Sequence, residues 1–159
     1  MITARFSVLL VAAALAGVAV GVPAAGAGSS DVQQALRLAA VNYKVALLNG
    51  SPTACQMATP FIQTSLVDDA WGDAHKRVTT CPVAVKTLAT FYASQFPSRA
   101  AYVRAGQAVV NAISVGKVKL TGSRATIHYV AAGMPSSIDL LLTNGRWLVN
   151  GWVELEIAP

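Results

Sequence analysis

Residues 138–150 have the sequence IDLLLTNGRWLVN, and this stretch decides the fold. Two runs rich in leucine, valine and tryptophan flank Asn144-Gly145. A two-residue turn of this composition joins antiparallel strands, because both turn positions need a positive φ that asparagine and glycine accept. The stretch therefore predicts a β-hairpin with strands over Ile138–Thr143 and Arg146–Glu154.

The period of two continues towards the N-terminus. Val115–Leu120 and Ala125–Val130 have the residue types of strands, and Thr121-Gly122-Ser123-Arg124 between them has those of a turn. Ala132–Ser137 is expected as the turn into the closing hairpin, centred near Met134. These segments predict a four-stranded antiparallel sheet in which each strand pairs with the next.

A helical pattern precedes the strands. Ser30-Asp31-Val32-Gln33 has the form of a capping box, and Asn49-Gly50 is typical of a helix end. Between them, apolar residues recur at a spacing of three to four, which predicts a buried stripe. The members of this stripe are Val32, Leu36, Ala39, Tyr43 and Leu47. Arg37 and Lys44 fall on another face, which is expected to lie in water.

Further helices are predicted between residues 53 and 111. Proline following a hydroxyl residue at Ser51-Pro52 and Thr59-Pro60 predicts short helical turns over residues 53–58 and 61–67. The polar segment Asp68–Thr80 is expected to be a loop. A longer helix begins at Cys81-Pro82 and ends at Phe96-Pro97, and residues 98–111 are expected to be helical, with a strand entry as the alternative. Helices first and an antiparallel sheet afterwards are typical of an α+β fold.

The first 27 residues have a different composition. Arg5 precedes an apolar run from Phe6 to Val22, and Ala25-Gly26-Ala27 offers small residues before a polar segment. This order predicts a secretory signal peptide over residues 1–27, and so a secreted or extracytoplasmic protein with one domain over residues 28–159. A retained membrane anchor is the alternative, because the run is close to the lower length limit for spanning a bilayer.

The charge limits the class of partner. The formal net charge is +5, and loss of Arg5 with the leader lowers it by one. The basic residues are scattered, with no run longer than two, whereas a nucleic-acid interface needs them clustered on one face. We therefore expect no nucleic-acid partner and weak attraction to acidic cell-surface polymers.

Cys55 and Cys81 are the only cysteines of the chain. Two cysteines in an exported domain pair in most cases, so a structural disulfide is predicted. Asp73 and His75 lie in the polar loop, but two ligands cannot complete a zinc site, and the surrounding residues do not follow the order of a calcium loop. We expect no metal and no cofactor.

The element order and several short motifs resemble those of small exported bacterial proteins of the nuclear transport factor 2-like superfamily. The motifs are Ala54-Cys55, Thr59-Pro60, Cys81 and the hairpin Thr143–Val149. The resemblance implies a cone-shaped fold, shared with ketosteroid isomerase and the polyketide cyclases, in which a curved sheet wraps the helices and leaves a pocket at its open end. The chain lacks a recognisable catalytic set of that family.

Polar residues on the predicted sheet form a candidate pocket. The expected turns place Tyr129 and Asn150 opposite Asp139, with Trp152 continuing the same face. A carboxylate, a phenol and an amide among apolar neighbours suit a ligand pocket or a general base with hydrogen-bond donors. The alternative is that these side chains lie on the outer, solvated face, and a register change of one residue would separate them. His128 is expected on the opposite face, with Leu140, Leu142, Trp147 and Val149.

Three functions remain open at this point. The first is a secreted binding or accessory protein that holds a small apolar ligand or a cell-envelope partner in the cone pocket. The second is a small isomerase or cyclase that uses Asp139 and Tyr129. The third is a structural cell-envelope module that uses its sheet as a homodimer face.

Overall fold

The structure is a computed structural model that describes residues 29–153. The predicted leader, Met1–Ala27, and the last residue of the predicted fourth strand, Glu154, lie outside the described residues. The helices are α1 (Ser29–Leu48), α2 (Thr53–Gln56), α3 (Pro60–Gly72), α4 (Cys81–Ser94) and α5 (Arg99–Ser114). The strands are β1 (Lys117–Thr121), β2 (Arg124–Ala131), β3 (Met134–Thr143) and β4 (Arg146–Val153). They form one antiparallel sheet in the order β1-β2-β3-β4, which confirms the α+β fold.

The predicted stripe on α1 faces the core, but the expectation for its cationic residues is wrong. Leu36 and Tyr43 are buried, and Gly50 follows the helix with a φ of 66°. Lys44, expected in water, is only 5% exposed. Arg37 is half-buried, and its Nε donates to the carbonyl of Gly116 at 2.9 Å. Long cationic side chains can bury their aliphatic stems, which accounts for a half-buried arginine. The burial of Lys44 also includes its amino group, whose pKa it lowers.

Helix α3 is longer than the sequence indicates. It continues through Asp68 and Asp69 to Gly72, because Leu66 and Ala70 remain on its buried face. Only residues 73–80 of the predicted loop lie outside helices. Segment 98–111 is helical, and the hydroxyl of Ser98 accepts a hydrogen bond from the backbone N–H of Ala101 at 3.2 Å.

All five helices lie on one side of the sheet, which we call the inner face. The hydrophobic core joins helix residues to the strand residues Ala125, Ile127, Tyr129, Ile138, Leu140 and Val149. The opposite, outer face contributes none of the buried core residues, and no helix of residues 29–153 covers it. This separation decides which polar residues can meet one another.

The disulfide between Cys55 and Cys81 is present, with a Cα–Cα distance of 6.0 Å. It joins α2 to the first residue of α4 and confirms the predicted pairing. Residues beside α2 also extend the sheet, since the N–H of Val149 donates to the carbonyl of Met57 at 2.8 Å and the N–H of Thr59 donates to the carbonyl of Val149 at 2.9 Å. The disulfide therefore holds in place the segment that covers the β4 edge.

Candidate functional site

The predicted pairing of Tyr129 with Asp139 is wrong. Strands β2 and β3 are joined by the two-residue turn Ala132-Gly133, whose φ angles are 51° and 80°. Tyr129 consequently lies opposite Ser136, and Asp139 lies opposite Thr126. Because successive side chains of a strand alternate between faces, this register places Tyr129 on the inner face and Asp139 on the outer face.

A β-bulge separates the other two members of the predicted pocket. The register between β3 and β4 shifts at Asp139/Leu140, so Asp139 pairs with Gly151 and Asn150 has no partner of its own. A bulge inserts one extra residue and changes the alternation beyond it. Trp152 therefore lies opposite Ile138 on the inner face, away from Asp139.

His128 also lies on the face opposite to the one expected. It pairs with Lys117 on one side and Ser137 on the other, and its side chain is exposed on the outer face. Leu140 and Val149, which the sequence placed beside it, are buried on the inner face. The five predicted pocket residues are thus divided between the two sides of the sheet.

The inner-face members are part of the core. Tyr129 and Ser136 are 7% and 8% exposed. Burial raises the pKa of the Tyr129 phenol, and a hydrogen bond with Ser136 opposes that rise. The ring of Trp152 contacts that of Tyr43 on α1, with 6.0 Å between the centroids. Tyr129 thus belongs to the hydrophobic core, and Trp152 packs against it.

Tyr43 carries a buried polar group that the sequence does not indicate. Its hydroxyl is buried without a hydrogen-bond partner among the described residues, as is that of Thr59. Burial and then the negative charge of Asp69 raise the pKa of the Tyr43 phenol. The pKa of Asp69 is itself raised, by burial and then by Asp73 and Asp68. No spacing in the sequence relates Tyr43 to Asp69, since the two residues come near each other only in the folded chain.

A shallow groove between α1 and α5 is mainly apolar. It is lined by Val45, Leu48, Asn49, Tyr102, Val103, Gln107 and Val110 and holds about 130 Å³. Ligand pockets measure roughly 300–1,000 Å³ and combine apolar walls with a few convergent polar groups. The groove is too small for that range, and its polar lining is limited to two amides and the Tyr102 phenol.

The outer face carries a set of cationic side chains that are scattered in the sequence but lie on one side of the sheet. Its exposed cationic side chains are Lys117, Lys119, Arg124 and Arg146. Asp139 is the one carboxylate on this face among the described strand residues, and its Oδ1 accepts a hydrogen bond from the hydroxyl of Thr126 at 2.7 Å. The alternation Lys117-Val118-Lys119 was the available signal, because residues two apart in a strand share a face.

The described part of the chain offers no cluster of histidine, cysteine and carboxylate side chains that could hold a metal ion. Asp73 instead accepts a hydrogen bond from the Tyr92 hydroxyl, and His75 is exposed beside it. The Arg77 guanidinium lies 4.7 Å from the centre of the Trp71 ring, which ties residues 73–80 to the end of α3. Among residues 29–153, no helix has the length and hydropathy needed to cross a membrane.

Comparisons with family models, with curated proteins and with solved structures find no match to this chain. The Cys55–Cys81 disulfide points to an oxidising, extracytoplasmic environment, since such bonds persist mainly outside the reducing cytosol.

Proposed function

We propose that the chain is an exported, non-catalytic binding or accessory protein with a nuclear transport factor 2-like fold, which holds a partner through the outer face of its sheet. The observation that carries the proposal is the outer face, which no element of residues 29–153 covers, with its cationic side chains Lys117, Lys119, Arg124 and Arg146. A protein surface that concentrates one sign of charge attracts partners of the opposite sign and speeds their encounter. The apolar run before α1 and the disulfide support export.

The catalytic alternative has less support. An isomerase needs its general base and its hydrogen-bond donors directed at the same reacting atoms. Asp139 and Tyr129 instead lie on opposite faces of the sheet, and the phenol is buried beside Ser136. A small ligand in the cone pocket is likewise less favoured, because Trp152 packs against Tyr43 on the inner face.

The first test measures where the exported protein is found. The full chain is produced with its own leader in a bacterium that secretes it, and the envelope and medium fractions are assayed for it. Cleavage after Ala27 would give a mature N-terminus at Gly28. We expect the mature protein to remain with the cell envelope at low salt and to be released by high salt, because exposed charges are screened by ions.

A matched pair of variants locates the binding surface. The outer-face variant is Lys117→Glu/Lys119→Glu/Arg124→Glu, and the control is Lys76→Glu/Lys86→Glu/Arg104→Glu, which reverses three exposed charges away from the sheet. The outer-face variant should pass into the medium, and the control should stay with the envelope. Equal retention of both variants, or a chain that never leaves the cytoplasm, would contradict the proposal.

A further inference from the structure

The cationic residues of the outer face form a diagonal line across the sheet. Lys117 and Lys119 lie on β1. Arg124 lies on β2 and pairs with Thr121 of β1, and Arg146 lies on β4 and pairs with Thr143 of β3. Strands lie about 4.8 Å apart, and alternate residues of one strand about 6.7 Å apart. The line from Lys117 to Arg146 is therefore roughly 25 Å long by the same spacings. A line of this kind fits an extended chain better than a compact ion.

Two leucines lie in the widest gap of this line. Leu141 pairs with Arg124 on one side and with Leu148 on the other, and Arg146 precedes Leu148 by two residues on β4. Both leucines are half-buried although the helices lie on the other side of the sheet. An apolar centre with a polar rim is the usual arrangement of a protein–protein interface, and arginine is enriched there.

We infer that the outer face binds an acidic polypeptide segment that places an aliphatic side chain between its carboxylates. This inference rests on the proposed function and names the chemistry of the partner. Carboxylates of the segment pair with the cationic line, and its aliphatic side chain covers Leu141 and Leu148. Arginine suits this role, since its planar guanidinium matches the two oxygens of a carboxylate.

Other occupants fit the face less well. The outer face of the described strands carries no phenylalanine, tyrosine or tryptophan, so bases of a single-stranded nucleic acid would find no stacking platform there. A second copy in an isologous contact would place this cationic line against itself, because both partners use the same patch. A sulfated polysaccharide would engage the cations and leave the leucine pair uncovered.

The experiment uses two fluorescent decapeptides and the purified protein. One probe is a run of ten glutamates, and the other has leucine at its two central positions. We expect the leucine-containing peptide to bind about fivefold more tightly in fluorescence anisotropy at low salt, even though it carries two charges fewer, because it buries apolar surface. Equal or weaker binding of that peptide would overturn the inference.

Variants separate the two components of binding. Lys117→Glu/Lys119→Glu should weaken binding of both peptides about tenfold, whereas Lys86→Glu/Arg104→Glu should leave it within about twofold. Leu141→Thr/Leu148→Thr should remove only the advantage of the leucine-containing peptide. The comparison of the two peptides on the unaltered protein stays decisive even if this double variant fails to fold.

Three further outcomes would identify a different occupant or none. Tighter binding of heparin, insensitive to Leu141→Thr/Leu148→Thr, would assign the face to a polysaccharide. A chain shortened to residue 153 that binds the leucine peptide far more tightly than the full chain would assign it to the chain's own residues 154–159, ELEIAP. If envelope retention depends on the outer face but the peptides are not distinguished, only this inference fails. If retention is also independent of the face, the proposed function fails with it.

Discussion

Tyr43 and Tyr102 bury the same phenol in two different environments. Both side chains are at most 5% exposed, but the Tyr102 hydroxyl donates to the carbonyl of Leu48 at 3.1 Å, and the Tyr43 hydroxyl has no partner among residues 29–153. Tyr43→Phe should leave the free energy of unfolding unchanged or raise it by about 1 kcal/mol, because it removes an unpaired buried polar group. Urea unfolding measures this value.

Tyr102→Phe is the matched control for that change. It removes a hydroxyl that makes a hydrogen bond, so it should lower the free energy of unfolding by about 1 kcal/mol. A loss at Tyr43 as large as the loss at Tyr102 would mean that the Tyr43 hydroxyl contributes a stabilising interaction, and it would contradict the account given for this residue.

The amino group of Lys44 links stability to pH. Burial lowers its pKa from 10.5 to about 8. Between those values the unfolded chain binds a proton that the folded chain has released, so the free energy of unfolding rises with pH in this window. We expect a gain of about 1–2 kcal/mol between pH 7.5 and 9.5, measured by urea unfolding.

Lys44→Met is the control for this pH dependence. Methionine keeps an unbranched apolar side chain of similar length and cannot bind a proton. The gain in stability above pH 8 should disappear in this variant. The same slope in both proteins would assign the effect to another group. The window stops below pH 10 because burial raises the pKa of the Tyr43, Tyr102 and Tyr129 phenols, and their titration lowers stability at higher pH.

At the scale of elements, the disulfide holds α2 and α4 together across a sequence separation of 26 residues. A bond closing a loop of this length stabilises the fold by about 3–4 kcal/mol in the chain-entropy model. Cys55→Ser/Cys81→Ser should therefore lower the free energy of unfolding by that amount. Reductant added to the unaltered protein should lower its melting temperature and leave that of the double variant unchanged. An equal free energy of unfolding in the double variant and the unaltered protein would show that the bond contributes nothing.

The elements themselves could be predicted from local patterns, while their register could not. Asn144-Gly145 correctly predicted one hairpin, because these residue types indicate a turn with two positive φ angles. Ala132 adopts the same φ region, where a Cβ is unfavourable, so its residue type does not indicate a two-residue turn with Gly133, and the sequence predicts a longer turn centred near Met134. Pro135 falls within that predicted turn, yet it lies in β3, where the described residues pair it with β2 alone.

The bulge at Asp139/Leu140 could not be predicted from the sequence either. Gly151 lies opposite Asp139, and a Cβ there would come within 3.3 Å of the Asp139 carboxylate. The close approach of Gly151 to Asp139 depends on tertiary packing and produces no periodic pattern in the sequence. One misplaced turn and one bulge were enough to divide the predicted pocket between two faces, because the side-chain period of a strand is two.

The whole molecule has one apolar and one cationic side to its sheet. The helices bury the inner face, and the exposed lysines and arginines keep the outer face in water. Lysines on the exposed edge strand β1 also oppose pairing with another sheet edge, which is a common protection against aggregation. The same charges that make the face attractive to an acidic partner therefore make it repellent to a second copy.

The charge of the outer face predicts the oligomeric state. An isologous dimer through the outer face would bring the four cationic side chains of one molecule against those of another, and like charges across an interface are unfavourable. Sedimentation equilibrium at low salt should therefore show a monomer. Lys119→Gln/Arg124→Gln/Arg146→Gln keeps Leu141 and Leu148 but removes most of the repulsion, so this variant should self-associate more strongly. A dimer of the unaltered protein that dissociates in the Gln variant would show that these residues make the contact, and it would return the sheet to the role of a homodimer face.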